Sequence, residues 1–404
     1  MTAAETAPSK SPRIVVVDVL RAIALIGIII THAVDGFLAG PEPMKNFMVF
    51  GPLDAFALQA EKLLTFGKFY TLFSFLFGLS FAIQMRNATE KGRNFGGRFS
   101  WRLVVLLLIA LVHGAFFSGD VLIIYAILGL LLILFRNRST KALVVTGVIL
   151  VLNVPGILLS SAIATFAQQP EFQAQQASNL AQQEAAAAKH YAVKKSDDVG
   201  ALIEMNLSTG LLNKLGFMIV SGRLWVTFGL FLLGLVAGRV GLFQDTPEHR
   251  EFFRKLLVRA APVAAITTLV MILMPVGFVP LNYPELGAWV ATSLQQVSLS
   301  AVYLAGFTLL YWRGSGGYLG ALAPAGRMGL TTYVMQSVFG LVVFYGLGFG
   351  LLGEIGVAAS IGLAVLFSVA QVFIARAWLA HFSMGPLEWL WRALTYFSLR
   401  PNRQ

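Results

Sequence analysis

Ten times along this chain an apolar run reaches or approaches the length that crosses a bilayer. A helix rises about 1.5 Å per residue, so about 20 apolar residues match a hydrocarbon layer of about 30 Å. The runs fall at 14–37, 67–85, 101–118, 120–136, 141–166, 216–239, 256–279, 286–312, 327–349 and 354–378. Runs this long satisfy their backbone polar groups in lipid only as helices. The expected fold is therefore all-α, a polytopic transmembrane bundle of about ten helices. Composition agrees: hydrophobic residues make 57% of the 404, and charged residues 12%. The charged share is about half that of an average soluble domain.

The stretch 101–136 exceeds one crossing and breaks at Ser118-Gly119-Asp120, which predicts a tight helical hairpin. Pro155 and Pro275 fall inside runs, where neighbouring helices can satisfy the freed carbonyls. Residues 44–66 set Phe56, Leu63 and Leu64 against Gln59, Glu61 and Lys62, which reads as an interfacial helix at the outer face. Residues 168–212, rich in Gln and Ala, form a long outward loop, helical in part. Residues 385–400 include Trp389, Trp391 and Arg392 and read as a cytoplasmic interfacial helix in the headgroup layer. The chain divides into an N-terminal group of four spans carrying a polar stripe (1–140) and a C-terminal group of six (141–404). No internal repeat is evident, so an inverted-repeat transporter plan gains no support.

The formal net charge is +11. Lys and Arg gather in alternate loops, and the positive-inside rule then puts both termini in the cytoplasm. No basic stripe with interleaved aromatics exists, which excludes nucleic acid as a partner. Lys10 and Arg13 precede the first run, but Asp18 and Arg21 within it suit a permanent helix, not a cleaved signal. With no cysteine there are no disulfides, thiolate metal sites or cysteine nucleophile. Phosphate-loop, dinucleotide, zinc-protease and nucleophile-elbow motifs are missing. No bound cofactor or metal is expected.

Charged groups inside spans carry the functional information, because they are costly there. Arg21 and His32 lie about 20° apart around the first helix, and Asp18 falls within about 60° of both. The three make a stripe about 21 Å long that faces protein or water. Asp18 and Arg21 also fit an ion pair at the helix start, and His32 a hydrogen-bonded structural histidine. His113 and Asp120 flank the predicted hairpin turn, with Tyr125 one turn further on. A carboxylate orients an imidazole and stabilises its cation, so the pair suits general-base work. Asp120 equally fits an N-cap. Lys68 and Arg223, at outer helix ends, either add positive charge to the same vestibule or anchor in headgroups.

Several stretches resemble the YeiB-like family of bacterial inner-membrane proteins. They are Arg13-Ile-Val-Val-Val-Asp-Val-Leu-Arg-Ala-Ile-Ala-Leu-Ile-Gly27, Gly67-Lys-Phe-Tyr-Thr-Leu-Phe-Ser-Phe-Leu-Phe-Gly78, Leu111-Val-His-Gly114 and Gly119-Asp-Val-Leu-Ile-Ile-Tyr-Ala126. Gly326-Arg-Met-Gly-Leu-Thr-Thr-Tyr-Val-Met-Gln-Ser337 and Gly385-Pro-Leu-Glu-Trp-Leu-Trp-Arg-Ala-Leu-Thr-Tyr396 resemble that family's domain of unknown function, number 418. The family is similar to the transmembrane acyltransferases, including acyltransferase type three and heparan glucosaminide acetyltransferases. The type-three group places an Arg and a His with ten residues between them on its first helix, as Arg21 and His32 stand here. Ala22 departs from the family's usual Gly, and His32 from its frequent Asn.

The resemblance implies a multi-pass protein of the bacterial inner membrane that takes an acyl group from cytoplasmic acetyl-CoA or another acyl-CoA. The acceptor would be a sugar, glycolipid or small hydroxyl or amino compound at the outer face. Arg21, oriented by Asp18, would bind the donor; His32 and His113, with Asp120 behind His113, would move the proton. Membrane lipids are expected partners, and a homodimer is open. A transporter of a small or lipidic solute uses the same buried charges. A non-catalytic scaffold would use them only to hold helices together.

Overall fold

The computed structural model describes residues 13–38, 51–92, 95–167, 182, 185–273, 286–399 and 401–402. Helix α1 (Val15–Thr31) continues as a π-helical turn, His32–Leu38. There follow α2 (Pro52–Leu64), α3 (Lys68–Glu90), α4 (Phe95–Phe116), α5 (Leu122–Phe135), α6 (Thr140–Val151) and α7 (Val154–Ala167). Next come α8 (185–195), α9 (Val199–Met205), a π-helical turn at Asn206–Gly210, α10 (Leu211–Val220), α11 (Arg223–Arg239) and α12 (Pro247–Leu273). The last are α13 (Leu286–Leu310), the short α14 (Gly316–Gly320) and α15 (Ala323–Arg327), α16 (Gly329–Phe344), α17 (Val357–Leu379) and α18 (Pro386–Tyr396).

The chain is an all-α polytopic membrane bundle. Among the described residues seven helices are long and apolar enough to cross a bilayer, or eight if α9–α10 and α11, bent by 71°, make one span. Two more of the ten apolar runs fall on α5 and α16, which are apolar but only 14 and 16 residues long. The hairpin between α4 and α5 forms where Ser118-Gly119-Asp120 predicts it. Residues 44–50, 168–181 and Pro275 lie outside the described residues.

Helix α1 is the hub. It packs against α3, α13, α15, α16 and α17, and Val19, Leu20, Ala24 and Ile29 are fully buried. Small residues let backbones touch, the usual device where lipid supplies no hydrophobic drive between helices. A Cβ at Gly78 of α3 would lie 2.0 Å from the Phe231 carbonyl oxygen of α11, and one at Gly234 would lie 2.1 Å from that of Phe75. A Cβ at Gly326 would lie 1.8 Å from the Asp18 carbonyl oxygen.

Helix α2 turns its polar edge inward, with Asp54 and Glu61 buried and Leu53, Phe56 and Leu64 exposed. That suits a helix whose apolar side meets lipid. Asp54 Oδ1 accepts from Ala358 N at 2.8 Å, which ties α2 to the start of α17. Helix α18 is likewise tied in. Glu388 Oε1 accepts from the first amides of α16, Leu330 N at 2.7 Å and Thr331 N at 3.1 Å, while Oε2 accepts from Thr331 Oγ1. Trp391 Nε1 donates to Arg102 O at 2.8 Å, and the Arg102 guanidinium lies 3.8 Å from its ring centre.

Both ends of the described chain lie on one face. Asp18 abuts Gly326, Arg327 donates to Ser383 O, and Ser383 meets Asn402. Arg102, Arg136 and Arg239 gather at this basic end, where Arg239 donates to the carbonyls of Arg136 and Arg138.

Candidate functional site

A cavity of about 260 Å³ runs inward from the basic end between α1, α3, α4, α5, α16 and α18. Arg21, Arg102, Arg327, Glu388 and Trp391 line its mouth. Phe73, Phe77 and Leu106 form its walls, and Leu122, Tyr125 and Tyr333 its far part. A charged mouth leads to an apolar tunnel.

Arg21 donates to Asp18 Oδ1 at 2.7 Å and to Ser80 Oγ at 2.6 Å. Asp18 also accepts from Arg13 Nε at 2.5 Å. The carboxylate is buried and the Arg21 side chain is one-quarter exposed, which aims the guanidinium at the cavity and not into lipid. Arg327, on α15, donates to Ser383 O, and its Nε is buried without a partner.

Beyond the far part of the cavity stands the His113–Asp120 pair. His113 ends α4, and Asp120 lies in the turn before α5. Asp120 is fully buried, and its Oδ1 is 2.8 Å from His113 Nδ1. It accepts from Leu122 N through Oδ1 and from Ile123 N through Oδ2, both at 3.1 Å. Asp120 is thus at once the cap of α5 and the partner of the imidazole. A carboxylate already accepting two amide bonds requires the histidine to donate from Nδ1. The Nε2 lone pair is then left as an acceptor, and that nitrogen is buried with no partner. Tyr333, which lines the cavity, stands between: its ring centre is 5.3 Å from that of His113, and its hydroxyl accepts from Val121 N at 3.1 Å.

His32 sits in the π-helical turn after α1, with ring centres of Phe117, Phe37 and Tyr333 at 5.0, 5.8 and 6.3 Å. Its Nδ1 is buried without a partner. The two predicted histidines therefore share Phe117 and Tyr333 as neighbours. Tyr125 donates to Tyr70 O at 3.2 Å and bonds Ser74 Oγ at 2.7 Å.

Lys68 and Arg223 stand apart from this cavity. Lys68 is buried and donates to Lys62 O at 2.8 Å, near the carboxylates of Glu61 and Asp35. Arg223 lies over the rings of Phe66, Tyr70 and Phe217 at 4.7, 5.1 and 5.0 Å. Sequence reasoning missed Arg102, Glu388 and Lys214. Lys214, on α10, is near enough to His32 and Asp120 for its charge to act on both. A lone lysine in the apolar segment Leu211–Val220 was the available signal.

Residues 237–398 match the family described as "Protein of unknown function (DUF418)". Over nearly its whole length the chain is 30% identical to "Uncharacterized protein YxaH" of Bacillus subtilis (strain 168), across 413 residues that cover 96% of each. The chain belongs to the DUF418, YeiB-like family. "Uncharacterized protein YeiB" of Escherichia coli (strain K12) is 29% identical over 403 residues, 96% of this chain and 98% of that one. An "Uncharacterized 39.9 kDa protein in amylase 3'region" of Bacillus acidopullulyticus is 28% identical over 411 residues, 95% of this chain and 94% of that one. No solved structure matches. The DUF418 segment supplies Arg327, Tyr333, Glu388 and Trp391 to the cavity; Arg21, Arg102, His113 and Asp120 come from the part before it, which the full-length relatives also cover.

Proposed function

We propose that this protein is a membrane acyltransferase of the bacterial inner membrane. The observation that carries the reading is a buried His–Asp pair, with a free imidazole nitrogen, beyond the far part of an apolar tunnel whose mouth holds three arginines. The basic end is the cytoplasmic side by the positive-inside rule, and both termini lie there. An acyl-CoA is anionic at its nucleotide and apolar along its acyl arm, so the arginines would meet phosphates while the arm enters the tunnel. The acceptor, a sugar, glycolipid or small hydroxyl or amino compound, comes from the opposite side. His113 Nε2 takes the acceptor's proton as its oxygen or nitrogen attacks the thioester carbonyl. The C–S bond then breaks, and the leaving thiolate recovers that proton from the imidazolium, held in place by Asp120. No covalent enzyme intermediate is needed.

The test is coenzyme A release by the purified protein supplied with acetyl-CoA, with acetyl-CoA binding measured alongside. Wild type should bind the donor and release coenzyme A slowly. Arg21→Ala should weaken donor binding, and His113→Ala should keep binding but abolish release. Binding and release unchanged in both variants would sink the reading. A solute flux in proteoliposomes without acyl donor, together with no acetyl-CoA binding, would replace it with transport.

A further inference from the structure

Two helix breaks meet at one point, away from the His113 cavity. The span Thr140–Ile163 is broken between α6 and α7, where Asn153 adopts φ 56°. The chain is broken again between α10 and α11, where it bends by 71° and Gly222 adopts φ 70°. The two turns touch: a Cβ on Gly222 would lie 2.1 Å from Asn153 Nδ2. Only glycine fits at 222, both for its φ and because the carboxamide lies against its Cα. Left-handed backbone at a non-glycine costs of order 1 kcal/mol and persists where the surroundings require it.

The junction encloses a cavity of about 40 Å³, lined in part by Tyr70, Asn153, Ser221, Arg223, Ser293 and Gln296. That is room for a single small group or a few waters. Three features suit it to an anion. Asn153 is 1% exposed, yet neither its Nδ2 nor its Oδ1 has a partner. Arg223 is held by the faces of three aromatic rings; among the described residues no carboxylate lies within ion-pair distance of it, and Asp35 acts on it only from further away. Helix α11 begins at Arg223 with no side-chain cap, so it presents its first amides here. A broken span whose half-helix N-terminus faces the break is a recurring way to hold an anion at membrane depth. Nearby, Arg223 and Lys62 act on Asp35, and Lys68 acts on Glu61.

We propose that Asn153, Arg223 and the start of α11 form an oxyanion site that holds one phosphate or carboxylate group. The guanidinium fork and the carboxamide N–H donate to the anion, and the start of α11 adds its amides. Counting rise along α6 from Thr140 and along α11 from Arg239, the site lies about 20–24 Å from the basic end. The anion therefore enters from the opposite face, either free or as the headgroup of a lipid. Tyr70 separates this site from the first cavity: its ring lines the anion pocket, and its carbonyl accepts from Tyr125 on the other side. The site does not depend on the acyl-transfer reading.

The experiment measures thermal unfolding of the full chain with two probes. The first is inorganic phosphate added in detergent, against sodium chloride at equal ionic strength. The second is nanodiscs of phosphatidylglycerol against phosphatidylcholine. The variants are Arg223→Gln and Asn153→Gly. The second removes the carboxamide while keeping a residue at ease with positive φ, so it folds without relying on the anion. A phosphate-dependent rise in Tm in wild type, absent in both variants, establishes the site with a free anion as its ligand. Roughly tenfold or greater weakening of phosphate binding is expected in each. A rise seen only with phosphatidylglycerol and lost in the same variants assigns a lipid headgroup. No response to either probe, or a response that survives both substitutions, overturns the proposal.

Discussion

Asp120 shows how one residue can serve fold and chemistry with the same two oxygens. The cap on α5 and the bond to His113 were both open readings of its position, and the structure joins them. They come apart by substitution. Asp120→Asn keeps one oxygen that still accepts from an α5 amide, so it should cost less stability than Asp120→Ala, although its NH2 loses the second amide bond. It should nonetheless lower coenzyme A release by about 100-fold or more, since the imidazole loses its orienting anion. Asp120→Ala should lose a further 1–2 kcal/mol, roughly the value of an N-cap. Equal activity in Asp120→Asn and wild type would reduce Asp120 to a cap. Lys194, in α8 outside the spans, offers a different handle. It is buried, donates to Gly36 O at 3.4 Å, and burial lowers its pKa from 10.5 to about 8. Between pH 8 and 10.5 the unfolded chain then binds the proton that the folded chain has released, so this residue makes stability rise with pH across that window. Below pH 8 the folded state bears the full cost of the buried charge. Lys194→Met should therefore raise Tm relative to wild type at pH 7.5, and the gain should shrink as pH nears 10. A pH-independent difference would show that folding does not shift the Lys194 pKa.

At the scale of elements, the sequence was most legible where a single helix answers to lipid. Apolar length marked the runs, and Ser118-Gly119-Asp120 marked a turn because an unbroken helix there would overshoot the bilayer. It was least legible where one element depends on another far along the chain. The paired tryptophans of α18 read as headgroup anchors, yet Trp391 closes on Arg102, a contact no local pattern encodes. Glu388 looked like one charge in a surface helix; it is the cap of α16, 58 residues away from Leu330. Glu388→Ala should leave those donors without their acceptor, cost about 1–3 kcal/mol, and speed hydrogen exchange at Leu330 and Thr331. Exchange unchanged at both amides would mean that α18 is not docked there in solution. The α3–α11 contact makes a second prediction at this scale. Gly78→Ala or Gly234→Ala places a methyl group on a backbone carbonyl that cannot swing aside, so each should destabilise by about 1–3 kcal/mol. Gly306→Ala, where a Cβ meets nothing within 4 Å, should be near neutral or mildly stabilising through helix propensity. Thermal unfolding of the three variants in one detergent decides it, and a ranking with Gly306→Ala worst would refute the packing.

For the whole molecule, the open quantity is how many times the chain crosses, because α5 and α16 are apolar but short. Both lie where crossing matters most. α5 carries the chain from the Asp120 turn back to Arg136 at the basic end, and α16 carries it from Glu388's cap to Tyr345. If each crosses, the basic residues stay on one side throughout, as the alternation of Lys and Arg requires. If either does not, every later loop inverts and Arg239 or Arg376 falls on the wrong side. Burial in the bundle lets a short helix cross, since α5 is shielded by α4 and α11 and need not match lipid along its full length. The chain has no cysteine, so single cysteines can be introduced without a background. Asn137→Cys, exposed after α5, and Gln244→Cys, exposed after α11, should react with a membrane-impermeant maleimide only after cells are opened. Asp197→Cys, exposed after α8, and Phe349→Cys, exposed after α16, should react in intact cells. Labelling of Asn137→Cys in intact cells would show that α5 turns back without crossing; protection of Phe349→Cys would show the same of α16. Either result would move the arginine-lined mouth and the His113 end to one side of the membrane, and a path from a cytoplasmic donor to an outer acceptor would no longer exist.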